Sequence, residues 1–402
     1  MSVENVQEQQ QYSKARVGIM LAAVTMLVVI FGFGNFKLIP MQSAIMEHFQ
    51  IREAAYGYLN TASGWATVIC AIPFGFMVRK LRCNVSIIIG IVVAVAGIFI
   101  QTIAPTFAVL VIGRVIEGTG TGFATLVTGS LTLNLAKRER VSFWSSFMIM
   151  AGTLPQVIMA QGGTALLVNS GLSFQQIFRI IAYIYIAALV LWLVLVPFSL
   201  KITGIGNSAK PTREQTLRVI KNKNNWFIAI ASLFYTLASV TFTAYIIKFL
   251  TIKGLSQHEA ANIYSIMTIL GLFSMVGFGI LSDKLHTKRK IAIVSCFSAA
   301  CILVLLATLP ANMMLLYAIL WGIFPRSLAG LGNASAADIA ELPADIPIVN
   351  SFKNTVTHIG TIVFGILMGY LIQYMGYEFT IFMIAGGMVI AGILWILAKK
   401  IP

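Results

Sequence analysis

The chain has 402 residues, of which 58% are hydrophobic and only 10% charged, and its mean hydropathy is +0.88. These values exclude a soluble domain with a single core and indicate a membrane protein with many spans. The formal net charge is +15. We do not expect nucleic acid as a partner, because the basic residues lie where a lipid bilayer would place them, in short connections between apolar runs.

Twelve apolar segments follow one another between charged or Pro- and Asn-rich breaks. Each has roughly the 20 residues that a helix needs to cross a bilayer. They are long and continuously apolar rather than alternating, which excludes β-barrel strands. We therefore predict an all-α membrane protein with twelve transmembrane helices, at 17–42, 56–78, 84–103, 106–133, 143–168, 174–200, 226–250, 260–281, 290–309, 312–335, 351–374 and 379–398.

The polar tail at 1–16 lacks the apolar core of a cleaved signal peptide, so we expect the first helix to be retained. The two tails, 1–16 and 399–402, and the connections from even to odd helices carry 20 of the 28 basic residues. By the positive-inside rule, both termini face the cytoplasm. We expect a multi-pass protein of the cytoplasmic (inner) membrane of a bacterium-like cell.

A polar, basic stretch at 201–225 separates the helices six and six, and we interpret it as a cytoplasmic linker between bundles at 17–200 and 226–398. The bundles show a weak internal likeness: REAAYGYLNTASG (52–64) aligns with HEAANIYSIMTIL (258–270). Repeated six-helix bundles are typical of one large class of secondary transporters.

Two motifs sharpen this interpretation. GILSDKLHTKRK (279–290) matches Gly-x-x-x-Asp-Arg/Lys followed by basic residues, and GRVIEGTGTGF (113–123) matches Arg-x-x-x-Gly-x-Gly. With them, the chain resembles the major facilitator superfamily, which implies two six-helix bundles and transport by alternating access. GTGTG is not a nucleotide loop, because it lies in a predicted membrane helix and no Gly-x-x-x-x-Gly-Lys-Ser/Thr occurs. We expect no cofactor, no metal, no enzymatic activity and a monomer.

The resemblance also implies a cytoplasmic gate, held in the family by an aspartate in the loop between helices 2 and 3. Here that loop reads GFMVRKLRC (75–83), with Arg79 at the aspartate position. The connection between helices 10 and 11 is acidic, so we predict a gate with exchanged signs, Arg79 or Lys80 against an acid. The alternative is a solvated Arg79. The gating residues are then Gly75, Arg79, Lys80, Arg114, Gly118, Gly279, Asp283, Lys284, Arg289 and Asp345, with Asp338 and Glu341 as further acids.

Ionisable groups at membrane depth are expensive, and they mark functional sites. The predicted helices hold Lys37, Arg114, Glu117, Arg326 and His358, with Arg179, Lys248 and Lys353 nearer their ends, and only one of these is a carboxylate. Arg114 and Glu117 are three residues apart, so they share a helix face and partly neutralise one another. A surplus of buried cations suits an anionic substrate.

Lys37, in FGFGNFKLIP (31–40), lies at almost the place where monocarboxylate transporters of the superfamily carry a lysine for proton and carboxylate binding. Those proteins also use an Asp/Arg pair in helix 8, which is uncharged here. Arg326, in WGIFPRSLAGLG (321–332), sits beside a helix-breaking proline and offers the missing cation. The alternatives are a Lys37 that extends to the interface and an Arg326 tied to neighbouring carbonyls.

We predict that Lys37 and Arg326 bind the substrate carboxylate from the two halves, with His358, Gln156 and Gln161 as further contacts. His358 and the glutamines are alternatively plain helix contacts. Because an inside-negative potential opposes anion uptake, we expect a co-transported proton or a counter-anion. Glu117, Lys37 and His358 are the candidates for the proton.

The predicted function is secondary active transport of a small organic anion by proton symport or anion exchange. A drug or metabolite efflux antiporter fits the same fold, but it would need buried carboxylates. A non-transporting receptor on a transporter scaffold is a second alternative. It would usually carry a signalling tail, and no extramembrane stretch exceeds the linker.

Overall fold

The structure is a computed structural model that describes residues 14–81, 83–135, 141–196, 212–285, 287–342 and 345–398. Within these ranges the chain forms helices and no β-strand. The prediction of an all-α protein is therefore confirmed. The first 13 residues of the polar tail, most of the predicted linker and the C-terminal tail lie outside the described residues.

The first half of the chain forms α1 to α8. Their bounds are α1 Lys14–Phe36, α2 Leu38–His48, α3 Glu53–Lys80, α4 Cys83–Thr102, α5 Phe107–Leu135, α6 Val141–Ile158, α7 Thr164–Val168 and α8 Phe174–Leu195. A π-helical turn, Met159–Gly163, joins α6 to α7. The predicted first and fifth helices are thus each divided in two.

The second half forms α9 to α17. Their bounds are α9 Arg213–Lys221, α10 Lys223–Thr236, α11 Ile246–Ile252, α12 Gln257–Leu285, α13 Lys288–Thr308, α14 Met314–Ile323, α15 Ser327–Ala334, α16 Ala336–Ile339 and α17 Ile346–Leu397. A π turn, Leu237–Thr241, and a 3₁₀ turn, Phe242–Tyr245, join α10 to α11. Gly376, with a φ of 82°, divides α17 where the predicted helices 11 and 12 meet.

The described part of the chain has eight continuous helical stretches long and apolar enough to cross a membrane. One of them, Ile348–Leu397, covers both of the last two predicted helices. The eight stretches cover nine of the predicted helices, and the count of twelve stays a prediction.

The end of the predicted linker is a short amphipathic helix, α9. Thr212 and Gln215 form a capping box at its start, which satisfies free N–H groups of the first turn. Val219 is buried on its apolar side and packs in a small cluster with Val349 of α17. The basic side chains that suggested a linker lie on the same helix.

Contacts divide the chain into two compact units. Unit 1 comprises Met1–Ala44 and Ala62–Ala209, and unit 2 comprises Ile45–Thr61 and Lys210–Pro402. The segment Ile45–Thr61, which is the end of α2 and the start of α3, therefore belongs by its contacts to the second unit. No sequence pattern indicated this assignment.

Glycines in unit 1 bring α4 and α5 into backbone contact. A Cβ at Gly90 would lie 2.8 Å from the Gly120 carbonyl oxygen, and one at Gly113 would lie 2.9 Å from that of Gly97. A Cβ at Gly120 would overlap the Ala94 backbone. The close approach of the two helices therefore depends on small residues.

We expect Gly120→Ala to destabilise the protein by about 1–3 kcal/mol, because the added methyl group pushes α4 away from α5. Gly129→Ala is the matched control on the same helix, since nothing lies within 4 Å of a Cβ there. Thermal unfolding in detergent should show a lower melting temperature for the first variant only. Equal melting temperatures for the two variants would contradict the packing.

Candidate functional site

Lys37 is fully buried in unit 1. None of its side chain is exposed, and its Nζ donates a hydrogen bond of 2.8 Å to Glu117 Oε2 on α5. The ammonium group also lies 4.6 Å from the centre of the Phe178 ring on α8, a cation–π contact. Lys37 is therefore turned into unit 1 and does not extend to a membrane interface.

Glu117 Oε2 is the centre of a cluster of four side chains. Besides Lys37, it accepts hydrogen bonds of 2.9 Å from Gln101 Nε2 on α4 and of 2.9 Å from Arg114 Nη1 on α5. Arg114 and Glu117 share a face of α5, as their spacing of three residues predicts. We call Lys37, Gln101, Arg114 and Glu117 the buried cluster.

The buried cluster holds two cations and one carboxylate, so its net charge is +1 when all three are ionised. Arg114 and Glu117 are at most 2% exposed. Taking charges out of water costs several kcal/mol per ion after relaxation, and close opposite charges offset part of this cost. The surplus positive charge therefore destabilises unit 1.

Gly34, in the stretch FGFGNFKLIP, leaves the space that the buried cluster occupies. A Cβ at Gly34 would lie 2.6 Å from Glu117 Oε1 and would overlap the hydroxyl of Tyr185. The Gly34 carbonyl oxygen accepts a 2.7 Å hydrogen bond from Arg114 Nη1. Pro40 lacks the N–H that would continue the helix, and the break between α1 and α2 falls at Lys37.

Arg326 lies in unit 2 at the break between α14 and α15. Pro325 cannot donate to the carbonyl of Trp321, so the helix is interrupted at residues 324–326. The hydroxyl of Ser274 donates to the carbonyl of Ile323, and that of Ser327 donates to the carbonyl of Phe324 at 2.7 Å. These serines stabilise the break, as buried irregular backbone in a membrane requires.

One edge of the Arg326 guanidinium group carries the N–H donors of Nε and Nη2, and we call it the open edge. Its Nε and Nη2 are buried and have no hydrogen-bond partner among the residues that the structure describes. The same two nitrogens of Arg218 bind Asp345, at 2.9 Å and 3.3 Å. Gly271 makes room for Arg326, since a Cβ there would lie 2.6 Å from Arg326 Cγ. The free edge is therefore shaped for a carboxylate.

Comparison with known proteins decides the family. The family model of the Major Facilitator Superfamily matches residues 24–324, about three quarters of the chain. The chain belongs to the Major Facilitator Superfamily. Secondary transport of a small molecule is thus the function of this protein at the level of its family.

Solved structures of superfamily transporters share the fold at low identity. A bacterial homologue of the human lysosomal transporter Spinster, in an inward-facing, unoccupied conformation, has a TM-score of 0.78 at 16% identity and covers 97% of this chain and 98% of its own. A nucleoside transporter, NupG, has a TM-score of 0.75 at 15% identity, and the match covers 93% of this chain and 99% of that transporter. A D-xylose–proton symporter has a TM-score of 0.71 at 14% identity, and the match covers 96% of this chain and 98% of the symporter. At these identities the likeness shows the fold alone.

The remaining predicted substrate contacts of this superfamily member are spread over both units. Gln156 is buried on α6, directly after Pro155, and Gln161 is half-buried in the π turn that follows. His358 is exposed on α17. The roles of these three side chains stay predictions.

The superfamily gate motifs are described in part. The side chains of Gly75, Arg79, Lys80 and Asp283 lie outside the described residues, so the exchanged-sign gate stays a prediction. Of its acids, Asp345 is bound by Arg218, and Asp338 is bound by Lys288 at 3.0 Å. Glu341 is exposed.

The other motif residues are described. A Cβ at Gly118 would lie 2.6 Å from the Ser63 carbonyl oxygen, whereas Gly279 has open space around it. Lys284 is exposed, and Arg289 donates to the carbonyls of Trp395 and Ile396 at the end of α17. Arg289 therefore stabilises a helix C-terminus.

The sequence prediction missed three residues of the site, Gln101, Phe178 and Tyr185. Gln101 carried a signal, because an amide at the end of the apolar run IFIQ needs a buried partner. Phe178 and Tyr185 carried none, since aromatic residues in apolar helices are usually packing residues.

We expect Glu117→Gln to destabilise the protein far more than Lys37→Met. The first change leaves two buried cations together, at a cost of about 3–5 kcal/mol. The second leaves Arg114 and Glu117 as a neutral pair. Thermal unfolding in detergent measures both, and Lys37→Met should remain within about 1.5 kcal/mol of wild type. If Lys37→Met were more destabilising than Glu117→Gln, the surplus positive charge would not lie in the buried cluster.

Proposed function

We propose that this Major Facilitator Superfamily transporter carries a small organic anion with a carboxylate group, by proton symport or anion exchange. The observation that carries the proposal is the open edge of Arg326, a buried pair of N–H donors at a helix break. A carboxylate accepts from both donors at once, which a cation or a purely apolar substrate cannot do.

The charges of the described membrane segments support the same substrate class. Glu117 is the only carboxylate in the predicted helices, and its Oε2 already accepts three hydrogen bonds. The cations in these helices that are buried or half-buried are Lys37, Arg114, Lys248, Arg326 and Lys353. An exporter of organic cations would need acids that this part of the chain lacks.

The buried cluster offers a route to proton coupling. Glu117 Oε1 has no hydrogen-bond partner among the described residues, so a proton can bind there without displacing Lys37, Gln101 or Arg114. Protonation alone would raise the cluster's charge from +1 to +2, at the cost that Glu117→Gln also carries, so Glu117 would accept a proton only together with an anion bound by Lys37. Proton and anion would then favour one another's binding, which is the linkage that a symporter requires. Lys37 and exposed His358 are the other candidates for the proton.

Uptake and counterflow in proteoliposomes test the substrate class. The panel contains acetate, lactate, succinate and malate, with and without an inward proton gradient. Symport predicts faster uptake with the gradient, and exchange predicts uptake that depends on an internal anion. An inside-negative potential opposes an uncoupled anion by about 2.3 kcal/mol per charge per 100 mV, so uncoupled uptake should be small. Transport of lipophilic cations and of no anion would overturn the proposal.

Arg326→Lys should raise the KM for the anion roughly ten- to a hundredfold, because an ammonium keeps the charge but loses the paired donors. Arg179→Lys is the matched control, since Arg179 is an exposed arginine on α8. Initial uptake rates over a range of substrate concentrations measure both variants. An unchanged KM in Arg326→Lys would remove Arg326 from the binding site.

A further inference from the structure

A cavity of about 580 Å³ lies within unit 2, where three connections between helices meet. The first follows α11 at Lys253, the second joins α13 to α14 at 309–311, and the third is the turn of α17 at 375–378. All three join an odd predicted helix to an even one, so the charge distribution predicts that they face outward. The volume falls in the range of about 300–1,000 Å³ that small-molecule sites occupy.

The base of the cavity is a stacked aromatic pair. The rings of Phe249 and Tyr377 have their centres 5.5 Å apart and their planes at 28°. Gly376 lets the chain turn beside them, because its φ of 82° would strain a residue with a side chain. Nothing lies within 4 Å of a Cβ at this glycine, so the space next to the rings stays open.

Lys253 supplies a positive charge at a fixed point of the lining. Its Nζ donates to the carbonyls of Ala307 and Leu309, at 2.7 Å and 2.8 Å, where α13 ends. The Nζ also lies 5.4 Å from the centre of the Phe249 ring. An ammonium group has three N–H donors, so one remains for a ligand.

Glu378 brings a negative charge to the same lining. Its side chain is exposed, and none of the ion pairs among the described residues includes it. Burial lowers the pKa of Lys253, and the charge of Glu378 opposes this shift, so the two groups interact. The lining thus has one positive and one negative side chain and no net charge. This balance favours a zwitterion over an anion.

The cavity lies where membrane spans end. Ile252 is the last residue of the candidate span Lys223–Ile252, and Met375 lies within the span Ile348–Leu397. Both side chains line the cavity, and both are more than half exposed. In a bilayer, exposed apolar side chains at this depth contact acyl chains, and the charges beside them lie at the level of the headgroups. A phospholipid therefore matches both parts of the lining.

We propose that this cavity binds the headgroup of a zwitterionic phospholipid with a primary amine, phosphatidylethanolamine. The phosphate lies against Lys253, and the ammonium group donates to the Glu378 carboxylate. The acyl chains cover Ile252 and Met375. A choline headgroup has no N–H to donate to Glu378, and a net anionic headgroup would leave the carboxylate facing a second negative charge. The inference holds for any substrate, since no residue of the proposed anion site lines the cavity.

Native mass spectrometry of the whole protein in detergent tests the site. Equal amounts of phosphatidylethanolamine and phosphatidylcholine, told apart by acyl chains of different mass, compete for the first bound lipid, and the chains are then exchanged between the two lipids. Wild type should hold roughly three- to tenfold more phosphatidylethanolamine, because choline loses the charge-assisted hydrogen bond to Glu378. Glu378→Gln should abolish this preference. Equal binding of the two lipids by wild type would overturn the proposal.

The matched control is Glu47→Gln, since Glu47 is an exposed glutamate at the predicted outward end of α2 and does not line the cavity. This variant should keep the wild-type preference. Ala311→Trp fills the cavity without a change of charge and should lose the preference. Because Glu378 is exposed, Glu378→Gln should fold as wild type does, and melting temperatures in detergent check this. A preference that survives in Glu378→Gln, or one that is lost in Glu47→Gln, would contradict the site.

Free O-phosphoethanolamine distinguishes a lipid from a soluble zwitterion. It has the same phosphate and ammonium groups but no acyl chains for Ile252 and Met375. An excess should leave phosphatidylethanolamine bound, whereas displacement would assign the cavity to a soluble zwitterion and overturn the lipid. Phosphatidylglycerol serves as the anionic competitor. If wild type preferred it to phosphatidylethanolamine, Lys253 would act without Glu378, and the zwitterion site would be wrong.

Discussion

One carboxylate oxygen, Glu117 Oε2, holds two cations inside the apolar interior of unit 1. Lys37 comes from the break between α1 and α2, Arg114 from α5 itself and Gln101 from α4. Because none of these groups can be left buried alone, the helices that carry them must meet at Glu117. The glycines around it, above all Gly34, follow from that requirement, since a larger residue would occupy the space of the carboxylate.

The two units present their cations in different ways. In unit 1, Lys37 and Arg114 are both bonded to Glu117, so a ligand would have to compete with a buried acid. In unit 2, Arg326 keeps the edge made by Nε and Nη2 open among the described residues. Under the proposed function, Arg326 is suited to bind the anion first, and the buried cluster is suited to respond to a change of charge.

The sequence predicted the helices because apolar runs of the right length have few other structures available in a membrane. It also predicted the pairing of Arg114 with Glu117, which depends only on helical spacing. It did not predict that Lys37 binds Glu117, because the two are 80 residues apart and several basic residues could have been the partner. The assignment of Ile45–Thr61 to unit 2 was beyond it as well. That contact uses glycine backbone and tyrosine hydroxyls, which leave no pattern in hydropathy.

Burial distinguishes the ion pairs of Glu117 from the pair of Glu53 with Lys248. The partners of Glu117 are at most 2% exposed, so breaking one of these contacts would leave a charge in a medium that cannot solvate it. Glu53 and Lys248 are 19% exposed, and water or another carboxylate can take over from either partner. The buried pairs therefore hold the helices of unit 1 together, whereas the partly exposed pair contributes at most about 1 kcal/mol to the contacts that Ile45–Thr61 makes within unit 2.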